Sequence, residues 1–131
     1  MSDQISYETL LTNLFVAFNK ADLNNVMSFF AEDAVFEPAV GDEACGKTIK
    51  GKSAIRQAFE QVYKTFPDIQ WNNTVHRNCG DVYLSEWVFA GTQTDGYIVE
   101  ANGVDIFTFQ GEKIVKKSAY RKDRPLSPPE G

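Results

Sequence analysis

The feature that most constrains this fold is a change of periodicity near residue 69. Before that point, apolar residues recur at spacings of three and four, as they do along one face of an amphipathic helix. After it, apolar and polar residues alternate, as they do on a strand with one buried face. Helices followed by strands predict a segregated α+β fold rather than alternating α and β units.

The first part of the chain predicts three helices, over residues 7–21, about 23–31 and 54–66. Each candidate helix follows a side chain that can accept a hydrogen bond from a free backbone N–H. Pro67 is predicted to end the third helix. The predicted N-caps are Ser6, Asp22 and Ser53.

The second part predicts four long antiparallel strands, separated by turns that contain glycine. Long strands twist and curl, so we expect three N-terminal helices packed on a curved, mostly antiparallel sheet with one pocket at its concave face. One domain is expected over residues 1–124, followed by a flexible, frayed tail over residues 125–131. The long strands are predicted over residues 69–79, 82–94, 97–109 and 113–122, and two short strands over residues 34–37 and 48–51.

Composition narrows the possible partners. The 13 basic and 18 acidic residues give a net charge of -5, which disfavours nucleic acid and membrane surfaces as partners. One histidine and two cysteines, Cys45 and Cys79, do not form a recognisable metal motif, so neither a metal nor a cofactor is implied. Free thiols, the absence of a signal-peptide pattern and the absence of a long apolar run predict a cytoplasmic location.

Three segments resemble proteins of the nuclear transport factor 2-like superfamily. Residues 29–38 resemble the end of its second helix and its first strand, and residues 51–55 resemble the entry to its third helix. Residues 104–109, followed by 113–114 and 119–120, resemble the closing hairpin of ketosteroid isomerases. The resemblance covers about residues 7 to 124 and implies a cone-shaped α+β roll of the SnoaL-like polyketide cyclase or ketosteroid isomerase-like type. Because this superfold hosts many activities, it predicts the fold better than the function.

Two carboxylates are the candidate catalytic residues. Asp105 alternates with Gly103 and Phe107, and the resemblance implies that this face lines the pocket, with Asp105 as the oxyanion-hole acid. The alternative is a structural ion pair between Asp105 and Arg121. Glu37 precedes Pro38 close to where the isomerases carry their general base; the alternative is a solvated carboxylate at the rim.

Arg121 is the main departure from the isomerase pattern, which has an aromatic residue there. The resemblance places Arg121 in the cavity, while the other basic residues of residues 113–124 are interpreted as a solvated strand edge. A buried arginine requires a carboxylate partner, and we predict that Arg121 bonds Asp105 or Glu86, which is expected on the same concave face. Arg121 is then either an anchor for an anionic or carbonyl ligand or part of a closed polar core.

The remaining candidate residues are interpreted as ligand contacts or core. Leu14 stands where the isomerases carry an oxyanion-hole tyrosine, so that half of the oxyanion hole is missing unless Tyr7, Tyr63 or Tyr120 supplies a hydroxyl from elsewhere. His76 is either an acid or base at the pocket or, as we favour, a half-exposed sheet residue. The expected core or pocket walls include Phe18, Phe59 and Trp71.

These residues support two hypotheses. The first is a cofactor-free acid–base enzyme that transfers a proton next to the carbonyl of a small hydrophobic compound, as in isomerisation or cyclisation. The second is a non-catalytic protein that binds a hydrophobic ligand or has an accessory role. In either case, we expect a homodimer packed through the outer sheet face, because large residues such as Val82 and Leu84 cannot all point into one small cavity.

Overall fold

The computed structural model describes residues 6–129. It contains three helices and six strands, with helices mostly preceding strands as predicted. The sequence-based domain boundary at residue 1 and the last two residues of the expected tail lie outside the described residues. The elements are α1 (Tyr7–Asn19), α2 (Leu23–Ser28), β1 (Phe30–Glu37), β2 (Ile49–Lys50), α3 (Lys52–Thr65), β3 (Gln70–Asn78), β4 (Tyr83–Thr92), β5 (Ile98–Gln110) and β6 (Lys113–Arg121).

Local capping explains where the helices begin. The side chain of Ser6 accepts a hydrogen bond from the backbone N–H of Thr9 at the start of α1, and Asp22 caps α2 in the same way. Both predicted caps are confirmed. The predicted cap at Ser53 is wrong, since α3 begins at Lys52 after Gly51, which makes no side-chain cap. Gly51 has φ 91°, a left-handed backbone conformation that glycine adopts readily, and it turns the chain directly from β2 into α3.

The first strand is longer than predicted and joins the sheet differently. β1 begins at Phe30, a residue predicted to lie in the second helix, because Phe30 pairs with Ile114 of β6. The β1–β6 pair is parallel, whereas the other paired strands are antiparallel. The strand order is β2-β1-β6-β5-β4-β3, so the mostly antiparallel sheet is confirmed.

The sheet has two chemically different faces. We call the face that bears Ser85, Asp105 and Phe107 the inner face, and the opposite face, which bears Glu86 and Val104, the outer face. The inner face contacts the helices through aromatic pairs, with ring centroids 5.0 to 6.3 Å apart. These pairs are Phe18–Trp71, Phe66–Phe89 and Phe15–Phe107.

The C-terminal segment is attached to the sheet. Ser127 and Ile98 exchange two backbone hydrogen bonds of 2.8 Å at the start of β5, and Leu126 packs against the core. The predicted frayed tail is therefore wrong at Leu126 and Ser127, because these residues find partners beyond the last strand. None of the helices within residues 6–129 has the length and apolar character needed to cross a membrane.

Candidate functional site

The centre of the inner face holds a buried ion pair. Asp105 is fully buried, and Lys117 is 5% exposed. The Nζ of Lys117 donates to Oδ1 of Asp105 at 3.0 Å, and the indole Nε1 of Trp87 donates to Oδ2 at 2.9 Å. Each carboxylate oxygen therefore has one internal donor.

Burial dominates the protonation of Asp105. Removal from water raises the pKa of the Asp105 carboxyl, because the charged form loses its hydration. The Lys117 ammonium and the Trp87 N–H oppose this shift by stabilising the carboxylate. We infer that the pKa of Asp105 remains above its usual range, so that the carboxylate holds a proton more tightly than a surface aspartate does.

Aromatic rings enclose the ammonium end of the pair. The Nζ of Lys117 lies 4.6 Å from the centroid of the Phe36 ring, 5.7 Å from that of Phe59 and 5.8 Å from that of Phe18. The negative faces of such rings attract a cation, which offsets part of its lost hydration. β1, α1 and α3 each contribute one ring, so this environment depends on the complete fold.

A glycine makes room for the indole that bonds Asp105. Gly103 is paired with Trp87 across the β4–β5 ladder. A Cβ atom at position 103 would come within 2.4 Å of the Trp87 ring and 2.6 Å of the backbone oxygen of Tyr120. The ring of Trp87 therefore lies close against the backbone of β5, in space that a side chain at position 103 would occupy.

A second polar pair lies next to Asp105 in the same row of the sheet. Ser85 is opposite Asp105 in the register of β4 and β5, and His76 is opposite Ser85 in that of β3 and β4. The Nδ1 of His76 lies 2.8 Å from the Oγ of Ser85. Burial lowers the pKa of His76, and the carboxylate of Glu8 partly opposes that change.

Arg121 lies one row away, also on the inner face. It is opposite Gly103, and its guanidinium carbon is 4.6 Å from the centroid of the Phe89 ring. Burial lowers the pKa of Arg121, and Asp123 opposes the shift. Within residues 6–129 the ion pairs are Arg77–Glu86, Lys116–Glu37 and Lys117–Asp105, so the predicted bond from Arg121 to Asp105 or Glu86 is wrong.

Two of the carboxylates that were expected to face the pocket lie on the outer face. Glu86 stands between the inner residues Ser85 and Trp87, so alternation directs it outward, where it bonds Arg77 at 2.8 Å. The expectation that Glu86 shares a concave face with Asp105 is wrong, because the assumed phase of β4 was shifted by one residue, which reverses every side chain.

Glu37 is directed away from Asp105 for a similar reason. Its neighbour Phe36 lies on the inner face with Lys117, and Glu37 is paired with Ser118. The carboxylate of Glu37 accepts a hydrogen bond of 3.2 Å from Ser118 and lies 3.6 Å from the Nζ of Lys116. The expectation that Glu37 is a base in the same pocket as Asp105 is therefore wrong.

The remaining predicted site residues lie in the core or at its edge. Leu14 is fully buried in the hydrophobic cluster. Phe18 contacts both Phe59 and Trp71, with ring centroids 5.2 and 5.0 Å apart. His76 is half-buried, with Phe15 on one side at 5.7 Å. These contacts bring Phe18 and Phe59 to the buried pair and leave His76 at the edge strand.

Sequence reasoning missed Lys117 and Ser85. The signal for Lys117 is that it alternates with Arg121, which the resemblance places in the cavity, but the cluster of basic residues around it is typical of a solvated strand edge. Ser85 shares parity with Trp87 on β4. Neither residue type attracts attention by itself, because lysine and serine are mostly exposed in proteins.

The outer face carries a groove of about 660 Å³. Most of its lining surface is apolar. In the described part of the chain, no three His, Cys, Asp or Glu side chains cluster in a way that could hold a metal ion. The groove residues from the outer face include Leu84, Glu86, Val88, Asn102, Val104, Tyr120 and Lys122.

Comparison with solved structures identifies the fold. A protein of unknown function with a cystatin-like fold from Xanthomonas campestris has a TM-score of 0.80 at 15% identity, covering 91% of this chain and 92% of that one. A candidate polyketide cyclase from Pseudomonas putida has a TM-score of 0.76 at 17% identity, with 89% and 92% covered. A protein with a ketosteroid isomerase-like fold from Catenulispora acidiphila, solved with trimethylamine, has a TM-score of 0.72 at 20% identity, with 85% and 83% covered.

These identities support a shared fold and no more. No curated protein matches the sequence. The family comparison is more direct, because residues 11–117 match the SnoaL-like domain, a span that begins in α1 and ends at Lys117. This chain therefore belongs to the SnoaL-like domain family, within a group of nuclear transport factor 2-like folds that includes candidate polyketide cyclases and ketosteroid isomerase-like proteins.

Proposed function

We propose that this protein is a cofactor-free acid–base enzyme that transfers a proton next to the carbonyl of a small hydrophobic compound. The observation that carries this proposal is the fully buried Asp105, bonded by Lys117 and Trp87. Its reaction class is that of an isomerase or cyclase, in which a carbon acid loses a proton to form an enolate.

The cost of the buried pair supports a role beyond stability. Replacement of a buried ion pair by well-packed apolar residues is often neutral or stabilising. A carboxyl with a raised pKa is also a useful proton acceptor, because the best acid–base catalysts have pKa values close to the working pH. Asp105 would take the proton, and the Lys117 ammonium would stabilise the developing enolate oxygen.

The aromatic surroundings support a small, largely apolar substrate. In the proposed cone-shaped roll, Phe18, Phe59 and Trp71 form the apolar wall of the pocket and Leu14 lies behind it. Arg121 offers a half-buried cation that makes no ion pair within residues 6–129 and would orient a carboxylate or carbonyl at the far end of the substrate. Because the outer location of Glu37 and Glu86 removes both from this pocket, Asp105 takes the role of the base.

Exchange of carbon-bound protons tests the proposal without a known substrate. Small ketones and β-diketones are incubated in D₂O with the protein, and loss of the proton next to the carbonyl is followed by NMR. Asp105→Asn should lower any protein-dependent rate by about 10²-fold or more, the lower end of a typical acid–base contribution. Ser118→Ala is the control, because it removes a hydroxyl from the outer face beside β5.

The outcomes distinguish enzyme from binder. Protein-dependent exchange that survives Asp105→Asn would contradict the assigned role of Asp105. Thermal stabilisation by carbonyl compounds without exchange of their protons would indicate the alternative, a non-catalytic protein for a hydrophobic ligand.

A further inference from the structure

A buried hydroxyl and an imidazole connect the ion pair to the edge of the sheet. Asp105, Ser85 and His76 are consecutive partners across β5, β4 and β3. Asp105 and Ser85 are fully buried, whereas His76 is half-buried on β3, the strand at the edge of the sheet. The three residues therefore form a line from the interior to the surface.

The spacing along this line suits proton transfer. The Nδ1 of His76 and the Oγ of Ser85 are 2.8 Å apart, within hydrogen-bond distance. Within residues 6–129 the hydrogen-bond partners of the Asp105 carboxylate are Lys117 and Trp87, and Ser85 makes no direct hydrogen bond to it. Ser85 and Asp105 are directly opposed, and such residues have Cβ atoms about 4.5–5.5 Å apart, a gap that one bridging water can span. Each carboxylate oxygen has a second lone pair beyond the one used by its internal donor.

The charged groups around the line leave His76 able to accept a proton. Burial favours the neutral imidazole, and Glu8 on α1 acts in the opposite direction. Arg77 and Glu86 pair with each other on the outer face. Lys117 on β6 bonds the far side of the Asp105 carboxylate. A neutral imidazole has one ring nitrogen that accepts and one that donates, which a relay requires.

We propose that Ser85 and His76 relay protons between the Asp105–Lys117 pair and solvent. A proton leaves the Asp105 carboxyl for one bridging water, which passes a proton to the Oγ of Ser85. The hydroxyl proton of Ser85 moves to Nδ1 of His76, and the proton on Nε2 of His76 passes to solvent. Serine and imidazole both end neutral, and the carboxylate is regenerated. The reverse sequence returns a proton from solvent to Asp105.

The use of this relay in catalysis rests on the proposed function, whereas the relay itself can be measured without any substrate. The ammonium protons of Lys117 reach water by passing to Asp105 and then along the line. Their exchange rate with water is measured by NMR on ¹⁵N-labelled protein at about pH 6, close to the unperturbed pKa of histidine.

Removal of either relay residue should slow this exchange. Ser85→Ala and His76→Ala should each reduce the rate by about 10²-fold, a typical contribution of a positioned proton carrier. Ser85→Thr retains a hydroxyl and should restore most of the rate. Free imidazole should rescue His76→Ala and should not rescue Ser85→Ala. If Ser85→Ala does not fold, His76→Ala at the sheet edge still provides the test.

A matched control separates the relay from a structural effect. Ser118→Ala removes a buried hydroxyl from the outer face of β6 and should leave the ammonium exchange unchanged. Unchanged exchange in both Ser85→Ala and His76→Ala would overturn the relay, as would slowing that Ser118→Ala reproduces. Slowed ammonium exchange in a protein without ketone exchange would support the relay and contradict only the proposed enzyme.

Discussion

The two faces of the sheet carry ion pairs of similar length in different surroundings. On the inner face, Lys117 and Asp105 are 3.0 Å apart and their side chains are 7% and 0% exposed. On the outer face, Arg77 and Glu86 are 2.8 Å apart and their side chains are 56% and 47% exposed. The N–O distance of an ion pair therefore does not predict how much stability is lost when one partner is removed. That loss depends on how far the remaining charge is buried away from water.

The largest expected effect concerns assembly, because a second copy bound to the outer face would bury surface that is exposed in the single chain. We predict a homodimer formed through the outer face, so that Val104→Asp, which places a charge in the groove, reduces the mass in solution to that of a single 14.7 kDa chain. Light scattering at high micromolar concentration measures this mass. A wild-type protein that is strictly monomeric would show that the outer face remains exposed.

The next effect tests the inner pair. Lys117→Met leaves the Asp105 carboxylate buried without its ammonium, and we expect a loss of about 3–5 kcal/mol in the free energy of unfolding. Urea denaturation measures this loss. Lys116→Met is the matched control, because the neighbouring Lys116 is 48% exposed at its side chain and its loss should cost less than about 1 kcal/mol. Equal losses would contradict the contrast between the faces.

A double substitution separates the net contribution of the ion pair to stability from the cost of leaving one charge buried without its partner. Asp105→Leu with Lys117→Met removes both charges, and we expect the free energy of unfolding to return to within about 1–2 kcal/mol of wild type. The same variant should lose the proposed proton exchange. A double variant as unstable as Lys117→Met alone would mean that the pair is kept for stability.

The pH dependence of stability should also differ between buried and exposed carboxylates. The pKa of Asp105 is raised by burial, so the folded state binds more protons than the unfolded state above the unfolded value of about 3.9. Its contribution to stability therefore falls as pH rises from about 4 through the folded pKa. The pKa of the exposed Asp68 is lowered by the backbone N–H of Thr92, and its contribution is lost as pH falls through that lower value.

Asp105→Asn isolates the buried contribution. Urea denaturation across this pH range should show wild type losing stability relative to the variant as pH rises. A difference that stays constant with pH, or that grows in favour of wild type, would contradict the raised pKa.

The smallest effect is expected at the outer pair. Arg77→Gln should cause no measurable change in the denaturation midpoint of the dilute protein, because water already solvates both partners. A loss of stability that increases with protein concentration would show that a second copy covers this pair. The two ion pairs would then differ as a pair in the core and a pair in an interface between copies.

Alternation predicted much of the fold and part of the site. The period-two pattern placed Asp105 and Phe107 on one face of the sheet, and the family resemblance implied that this is the inner face, where they lie. The four long strands lie close to their predicted bounds. The phase of β4 could not be predicted in this way, because Ser85 and Glu86 both have apolar neighbours and either could face inward. A period-two pattern specifies two faces, but it does not say which one the helices cover.

Contacts between distant segments could not be predicted from local patterns. Phe30 has helical spacing with Val26 and Met27, yet it joins β1 because Ile114, more than eighty residues later, supplies its partner. The bond between Lys117 and Asp105 similarly depends on the hairpin register of β5 and β6. The contact of Lys117 with the Phe36 ring depends in turn on the parallel pairing of β1 with β6. Tertiary pairing overrides local preference at both places.

The contact of Gly103 with the Trp87 ring has a consequence for how this site can change. Any side chain at position 103 would overlap the indole, which would then move off the Asp105 carboxylate that it bonds. A larger residue at 103 therefore requires a smaller residue at 87, one that lacks the indole donor, and also a shift of the β6 backbone at Tyr120, whose oxygen would lie 2.6 Å from the new Cβ atom. The two positions should substitute together, so a relative without this glycine should also have an aspartate with one hydrogen bond fewer.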